Sequence, residues 1–354
     1  VSGIKLVAPL AAHRLDERKV FDYLAAHVEG IFPSDAALLQ FQGGQSNPTY
    51  LIESGGRRFV LRKKPPGKLL PSAHQIDREF RIQQALQGSA VPVPDMLHYC
   101  TDISVCGTEF YVMAYLEGRV FSDAFMPELS RGERRAVQAQ LFEVIGRLHA
   151  IDYRALGLAD FGRAGQYVQR QMVRWRTQYE ASRTETLVDM DRLIDWLGRN
   201  MPESDETAIA HGDFRLGNMM VAADAPRIVA VLDWELATLG HPLADLAYCC
   251  MPFHLPQTAG LAMRGYGDAD LAAYGLRGEA EVLELYCKAT GRPEIPAADW
   301  KFFIGFALFR SAAIVEGVYA RALAGNAADA RAHEMHELAK VTCAAGWRVV
   351  SAGG

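Results

Sequence analysis

His211-Gly-Asp-Phe-Arg-Leu-Gly-Asn218, followed by Asp233-Trp-Glu235, carries the densest chemical signal in the chain. It places a carboxamide five positions after Asp213 and a second carboxylate, Asp233, twenty positions after it. Apolar runs flank both pieces: Ala208-Ile-Ala210, Met219-Met-Val221 and Ile228-Val-Ala-Val-Leu232. Polar groups at the tips of short buried strands are where chemistry tends to sit. Asp213 can accept a proton from an attacking hydroxyl, and Asn218 can bind a metal without adding charge. Asp233 offers a second hard oxygen, which suits Mg²⁺ because that ion keeps waters and substrate phosphates as its remaining ligands. Arg215 supplies positive charge for a transferred phosphoryl group. Taken singly, each piece is also ordinary turn or strand-end chemistry. Together, in this order and spacing, they point to a Mg²⁺–phosphate site.

Working outward, the bulk of the chain is that of a globular enzyme. Its 354 residues suffice for one large or two medium domains. Hydrophobic residues make up 50% and charged residues 22%. A net charge of −5 leaves no global basic footprint for nucleic acid. The six cysteines (Cys100, Cys106, Cys249, Cys250, Cys287, Cys343) form no C-x-x-C pair. With no secretory signal pattern at the start, they predict reduced thiols in a cytoplasmic protein. The most apolar run, Phe302 to Phe309, is too short to span a bilayer and predicts a buried core helix, with no membrane partner.

Helical spacing marks residues 14–30, through Val20, Leu24 and Val28. A Gly-rich turn occupies 41–50. Tyr50–Glu53 and Arg58–Arg62 then read as strands around the hairpin signal Ser54-Gly-Gly56. A helix is predicted over 74–86, with Ile76, Phe80 and Leu86 inward, and a strand over Phe110–Leu116. From about 131 helices dominate, beginning with the stripe Val137, Leu141, Val144, Ile145 and Leu148.

H-x-D-x-x-x-x-N followed by a strand-end Asp resembles the catalytic core of eukaryotic-like protein kinases. His-Gly-Asp and Asp-Trp-Glu at these positions resemble the aminoglycoside phosphotransferase (choline kinase-like) family. Gly43-Gly-Gln-Ser-Asn47, Val60-Leu-Arg-Lys-Lys-Pro-Pro-Gly67 and Phe309-Arg-Ser-Ala-Ala313 are similar to the branch that includes the N-terminal kinase-like domain of acyl-CoA dehydrogenase family members 10 and 11. The resemblance implies an α+β, protein kinase-like two-lobed fold. A small mixed β-sheet N-lobe (1–113) would bind ATP, and a large mainly helical C-lobe (114–354) would carry catalysis and the small-molecule hydroxyl acceptor.

The resemblance also implies roles. Asp213 matches the base, Asn218 and Asp233 the Mg²⁺ ligands, and Arg215 a phosphate contact. His211 and Asp245 match architectural residues. Gly43, Gly44, Ser46 and Asn47 lie where the phosphate-covering loop belongs. Arg62 stands at the kinase lysine position, with Glu79 its candidate partner and Lys63 on the opposite face of a regular strand. Met113 and Tyr115 fall in the adenine hinge. An alternative role is a non-catalytic nucleotide-binding module that docks an acyl-CoA dehydrogenase.

Residues 161–184 carry Arg163, Arg170, Arg174, Arg176 and Arg183 against Glu180. They form either a solvated basic face or, through Arg170 and Arg174 at i, i+4, the reader of an anionic hydroxy-acid or hydroxyacyl-CoA. Near-balanced charge after residue 251 does not suit a polycationic aminoglycoside. Arg310 and Glu316 interrupt an apolar helix and are candidates for the acceptor pocket or for buried pairs. His333 and His336 read as a solvated helix face rather than a metal site. His241 stands where this family often has Asp, and its role is open.

Overall fold

Gly55 and Gly56 take φ of 58° and 71°, the left-handed pair that a two-residue turn between twisted strands requires. The predicted hairpin therefore closes where Ser54-Gly-Gly56 places it. The computed structural model describes residues 5–42, 47–65, 75–257, 264–324 and 332–352. Two compact units emerge. Val1–Val120, Ala155–Leu158 and Asn218–Ala237 form the first; Phe121–Arg154, Ala159–Gly217 and Thr238–Gly354 form the second. A single border after residue 113 is thus replaced by a division in which 218–237 rejoin the strand-rich unit. Backbone bonds explain the return: Val221 pairs with Arg119, and the Val231 amide donates to the Pro92 carbonyl.

The first unit runs β1 (Lys5–Val7), α1 (Glu17–Ala25), β2 (Ala37–Gln42), β3 (Thr49–Ser54), β4 (Arg57–Lys63), α2 (Ile76–Leu86), β5 (Met96–Cys100), α3 (Ile103–Cys106) and β6 (Phe110–Ala114). These strands make one sheet in the order β1-β2-β3-β4-β6-β5. Every pairing is antiparallel, which corrects the expectation of a mixed sheet. Strands β4 and β5, joined through α2, do run parallel, but β6 hydrogen-bonds between them and no parallel ladder forms.

Alternation along the strands sorts the side chains. Tyr50, Ile52, Phe59, Leu61, Phe110 and Val112 meet Val20, Phe21 and Leu24 of α1 in one buried cluster. Tyr111 and Met96 cluster with Ile76 of α2 on the other face. Arg62 is the cross-strand partner of Tyr111, so the period of two sends it to the α2 side. Lys63 goes the other way, and its ammonium donates to the Cys106 carbonyl at 3.0 Å.

The second unit contains α4 (Arg131–Ala150), α5 (Tyr167–Ser182), α6 (Val188–Arg199) and β7 (Ala208–Ala210). The chain then makes β8 (Met219–Val221) and β9 (Ile228–Val231), the hairpin of the first unit, and returns as β10 (Thr238–Gly240), antiparallel to β7. After these come α7 (Pro242–Cys250), α8 (Leu271–Tyr274), α9 (Glu279–Thr290), α10 (Ala297–Leu323) and α11 (Ala332–Ser351). A reciprocal Ser130–Glu133 capping box starts α4. Helix α10 far outruns the apolar stretch read from sequence. Its 27 residues, with mean hydropathy 1.5 over the most apolar window, are long and apolar enough to cross a membrane, yet 78% of that window is buried inside the protein. It is the predicted core helix, and α5, α6, α7 and α11 pack against it.

Candidate active site

In the first unit, the hairpin register pairs Met219 with Val231. One step outward, the Leu232 amide donates to the Asn218 carbonyl at 2.8 Å. The hairpin therefore brings Asn218, which leads into β8, and Asp233, which follows β9, to the same end. Asn218 is buried. Asp233 takes φ of 64°, a left-handed conformation that Asp tolerates better than most side chains and that concentrates at functional sites. Its Oδ1 is buried without a hydrogen-bond donor. Arg62 Nη2 lies 3.7 Å from that oxygen, beyond hydrogen-bond range.

Arg62 Nε sits 2.9 Å from Glu79 Oε2, close but off the line of a hydrogen bond. The Asn47 amide donates to Glu79 Oε1 at 2.8 Å, and the Tyr111 hydroxyl donates to Oε2 at 3.1 Å. Glu79 is buried because it shares the inward face of α2 with Ile76, Ile82, Gln83 and Leu86. Burial pushes its carboxyl up, and Arg62 pulls it back. For Arg62 burial acts downward, but Tyr111, Glu79, Asp233 and Glu235 outweigh it and hold the guanidinium charged. Arginine does not surrender its proton in a protein, so Glu79 faces a fixed positive charge. Removing one partner of such a pair costs about 3–5 kcal/mol, because the other charge is left buried alone.

In the second unit, the 211–213 loop is held from every side. Gly212 takes φ of 84°, which a side chain would disfavour. Asp245 of α7 accepts from the His211 amide at 2.7 Å and the Gly212 amide at 2.9 Å. Burial alone would raise the Asp245 carboxyl; the His149 and His211 imidazoles and the loop amides hold it below its ordinary value. Arg310 of α10 donates to the Gly212 carbonyl at 2.8 Å. His211, fully buried, accepts from the Asp213 amide at 3.3 Å through Nδ1 and packs edge-on against Phe214. Its bracing role follows directly. The Asp213 carboxylate accepts from the Tyr248 hydroxyl at 2.5 Å and from Arg215 Nε at 3.3 Å. Burial first, then the charge of Asp213, raises the Tyr248 phenol, which stays a donor. Arg310 also lies over the rings of Trp175 and Tyr248, at 5.6 and 5.5 Å.

A sequence profile of the phosphotransferase enzyme family matches residues 37–285. The chain belongs to this family. A crystal structure of a protein from Ralstonia eutropha assigned to the aminoglycoside phosphotransferases is similar at 41% identity, with a TM-score of 0.86 over 95% of this chain and 98% of that one. Acyl-CoA dehydrogenase family member 10 of Mus musculus is 42% identical over 330 residues, which cover 92% of this chain but 31% of that protein. The chain thus spans about a third of the mouse protein's length. An aminoglycoside phosphotransferase crystallised with AMP-PNP and hygromycin B shares the fold, with a TM-score of 0.61 at 18% identity over 95% of this chain and all of that one.

Within this phosphotransferase the predicted residues divide. Arg62 and Glu79 meet, Arg62 approaches Asp233, and Asn218 shares the hairpin end with Asp233. Arg215 reaches Asp213. Asn47 is buried against Glu79 rather than open to solvent. Gly43, Gly44 and Ser46 lie outside the described residues. Met113 sits in β6 opposite Val60 and Met96, and Tyr115 carries the Arg58 guanidinium 4.3 Å over its ring. Arg170 bonds the Arg163 and Gly165 carbonyls, bracing the turn into α5. Arg174 is exposed and lies over Trp175. Glu316 forms a buried network: it accepts from the Thr184 amide at 3.1 Å and contacts His336 Nδ1 at 3.0 Å. His336 also pairs with Glu185 and stacks on Tyr319. It is therefore no solvated face, because α11 packs it against α10. The His333 side chain lies outside the described residues. His241 caps α7, accepting from the Leu243 amide at 3.2 Å and stacking on Phe303 at 4.5 Å. Tyr248 escaped sequence reasoning altogether. Its one signal is its place three residues after Asp245, on the same face of α7.

Proposed function

We propose that this chain is an ATP- and Mg²⁺-dependent phosphotransferase whose acceptor is the hydroxyl of a small molecule. The observation that carries the reading is the buried, donor-free Oδ1 of Asp233 beside the Arg62–Glu79 pair. A buried carboxylate oxygen with no hydrogen bond costs about 1–3 kcal/mol, and Arg62 at 3.7 Å offsets its charge without bonding it, which suits a metal ion as the missing partner. Asn218 and Asp233 fit Mg²⁺, since both offer hard oxygens. When bound, the ion offsets charge on the nucleotide phosphates. Arg62, oriented by Glu79, does the same from the protein side. The fold neighbour crystallised with AMP-PNP supports a nucleoside triphosphate as donor.

Asp213 orients the acceptor hydroxyl and takes its proton. The hydroxyl oxygen forms the new bond to the γ-phosphorus as the bond to the β–γ bridging oxygen breaks, and the nucleoside diphosphate leaves with that oxygen. Arg215 and Tyr248 fix the carboxylate through one oxygen each. Positioning and charge supply most of the catalysis in such a site. The acceptor we favour is a hydroxy-acid or a hydroxyacyl-CoA, because the mouse relative joins its matching segment to an acyl-CoA dehydrogenase name. An acyl-CoA dehydrogenase is the partner this implies.

Asp213→Asn tests the reading. With ATP, Mg²⁺ and a panel of hydroxylated acids and CoA esters, turnover drops by about 10²–10⁴-fold, while nucleotide binding by calorimetry stays near wild type. Wild-type turnover in that variant overturns the assignment of the base.

A further inference from the structure

A cavity of about 110 Å³ lies wholly within the second unit. Its walls include Met126, Leu141, Phe142, Met251, Phe253 and Leu255. Two further lining residues, Arg215 and Tyr248, are the ones that hydrogen-bond the Asp213 carboxylate. The cavity therefore adjoins the proposed base through the groups that orient it.

Its chemistry is one-sided. Among the described residues, no Asp or Glu lines it. Arg264 at its edge is already held by Asp123 at 2.8 Å and lies over the Phe125 ring. Gln138 exchanges two hydrogen bonds with the Arg277 backbone. A polycationic sugar would meet apolar walls and guanidiniums, while the nearby Asp213 and Asp123 carboxylates are already engaged by Arg215 and Arg264. An apolar body loses nothing there and gains from leaving water. A cavity near 150 Å³ takes a benzene ring, so this one suits a body of about four to six carbons.

We infer that this cavity binds the apolar body of the acceptor, a hydroxylated molecule with a short hydrocarbon chain whose hydroxyl reaches Asp213. The inference rests on the phosphotransfer reading for the role of that hydroxyl, and on the cavity alone for the nature of the body. Burying one methylene is worth about fourfold in affinity. Each added carbon therefore improves kcat/KM by that factor until the cavity is full, after which the gain stops.

The test uses unbranched hydroxy acids of three to ten carbons and diols of the same lengths, with ATP and Mg²⁺, on wild type and Ala124→Phe. Ala124 lines the cavity, and a phenyl ring there fills it. Wild type should show the stepwise gain with a break near four to six carbons, and A124F should lose the gain. A flat series, or an unchanged gain in A124F, overturns the cavity as acceptor site while leaving phosphotransfer standing. Thermal stabilisation by the same compounds without nucleotide is the second readout. If no compound is phosphorylated, the proposed reaction fails. The cavity assignment then stands if stabilisation grows with chain length in wild type alone, and falls if it does not.

Discussion

His241 offers a prediction whose size follows from its surroundings. It is buried at the start of α7, between Phe303 and Ser204. Burial pushes its pKa from the ordinary 6.5 down to about 4, with Arg292 and His149 acting in the same direction and Glu206 and Asp205 opposing. The folded state thus holds a neutral imidazole, and the unfolded state takes up a proton below pH 6.5. Stability from this group is complete above pH 6.5 and is lost as pH falls towards 4. A shift of about 2.5 units at 1.36 kcal/mol per unit amounts to roughly 3 kcal/mol, of which about 2.5 kcal/mol is gone by pH 4.5. Other groups also titrate there, so the comparison is with His241→Asn. Asn is a good cap and keeps an acceptor for the Leu243 amide, but it does not titrate. H241N loses the Phe303 stack and is the less stable protein at pH 7.5. Urea unfolding at pH 7.5 and pH 4.5 should show the gap between the two proteins moving by about 2.5 kcal/mol in favour of H241N at the lower pH. Parallel pH dependences in the two proteins would refute the buried neutral imidazole.

Three further outcomes follow from contacts in the structure. Glu79→Gln leaves the Arg62 charge without its buried partner, so nucleotide binding should weaken by about tenfold or more and stability should fall by about 3 kcal/mol; calorimetric titration and urea unfolding measure the two, and unchanged nucleotide affinity contradicts the orienting role. A Cβ on Gly118 would stand 2.4 Å from Met220 Cγ and 2.7 Å from the Val221 carbonyl. Gly118→Ala should therefore displace β8, costing about 1–3 kcal/mol and lowering turnover through Asn218; a wild-type unfolding curve would mean the strand gives way freely. Glu316→Ala strips the acceptor from Thr184 and one of two carboxylate partners from His336, so a loss of about 1–3 kcal/mol is expected on urea unfolding, with turnover per folded molecule unaltered at low temperature.

Local rules carried part of the site into view. Residue order and spacing alone set Asp213, Asn218 and Asp233 apart from ordinary turn residues, because the proposed base and metal oxygens would have to recur at fixed chain distances around a short hairpin. Strand parity selects Arg62 over Lys63, and helical spacing from Ile76 places Glu79 inward. These follow from the periods of strand and helix, which neighbouring residues impose. The hairpin at Ser54-Gly-Gly56 is legible for the same reason: few residues other than glycine suit two successive left-handed positions.

Other features arise only from packing. Tyr248, Arg310 and Asp245 come from two helices far along the chain, and no periodicity says that they converge on the 211–213 loop. Arg170 has the spacing of a ligand-binding arginine, and the fold turns two of its donors to the Gly165 and Arg163 carbonyls. His336 has the spacing of an exposed face, yet α11 folds it onto Glu316. The chain by itself determined which chemistry was available, since reactive groups and backbone periods are written residue by residue. Tertiary structure decided which of those groups face one another, since burial, pairing and cavity shape depend on elements that meet only when the core forms.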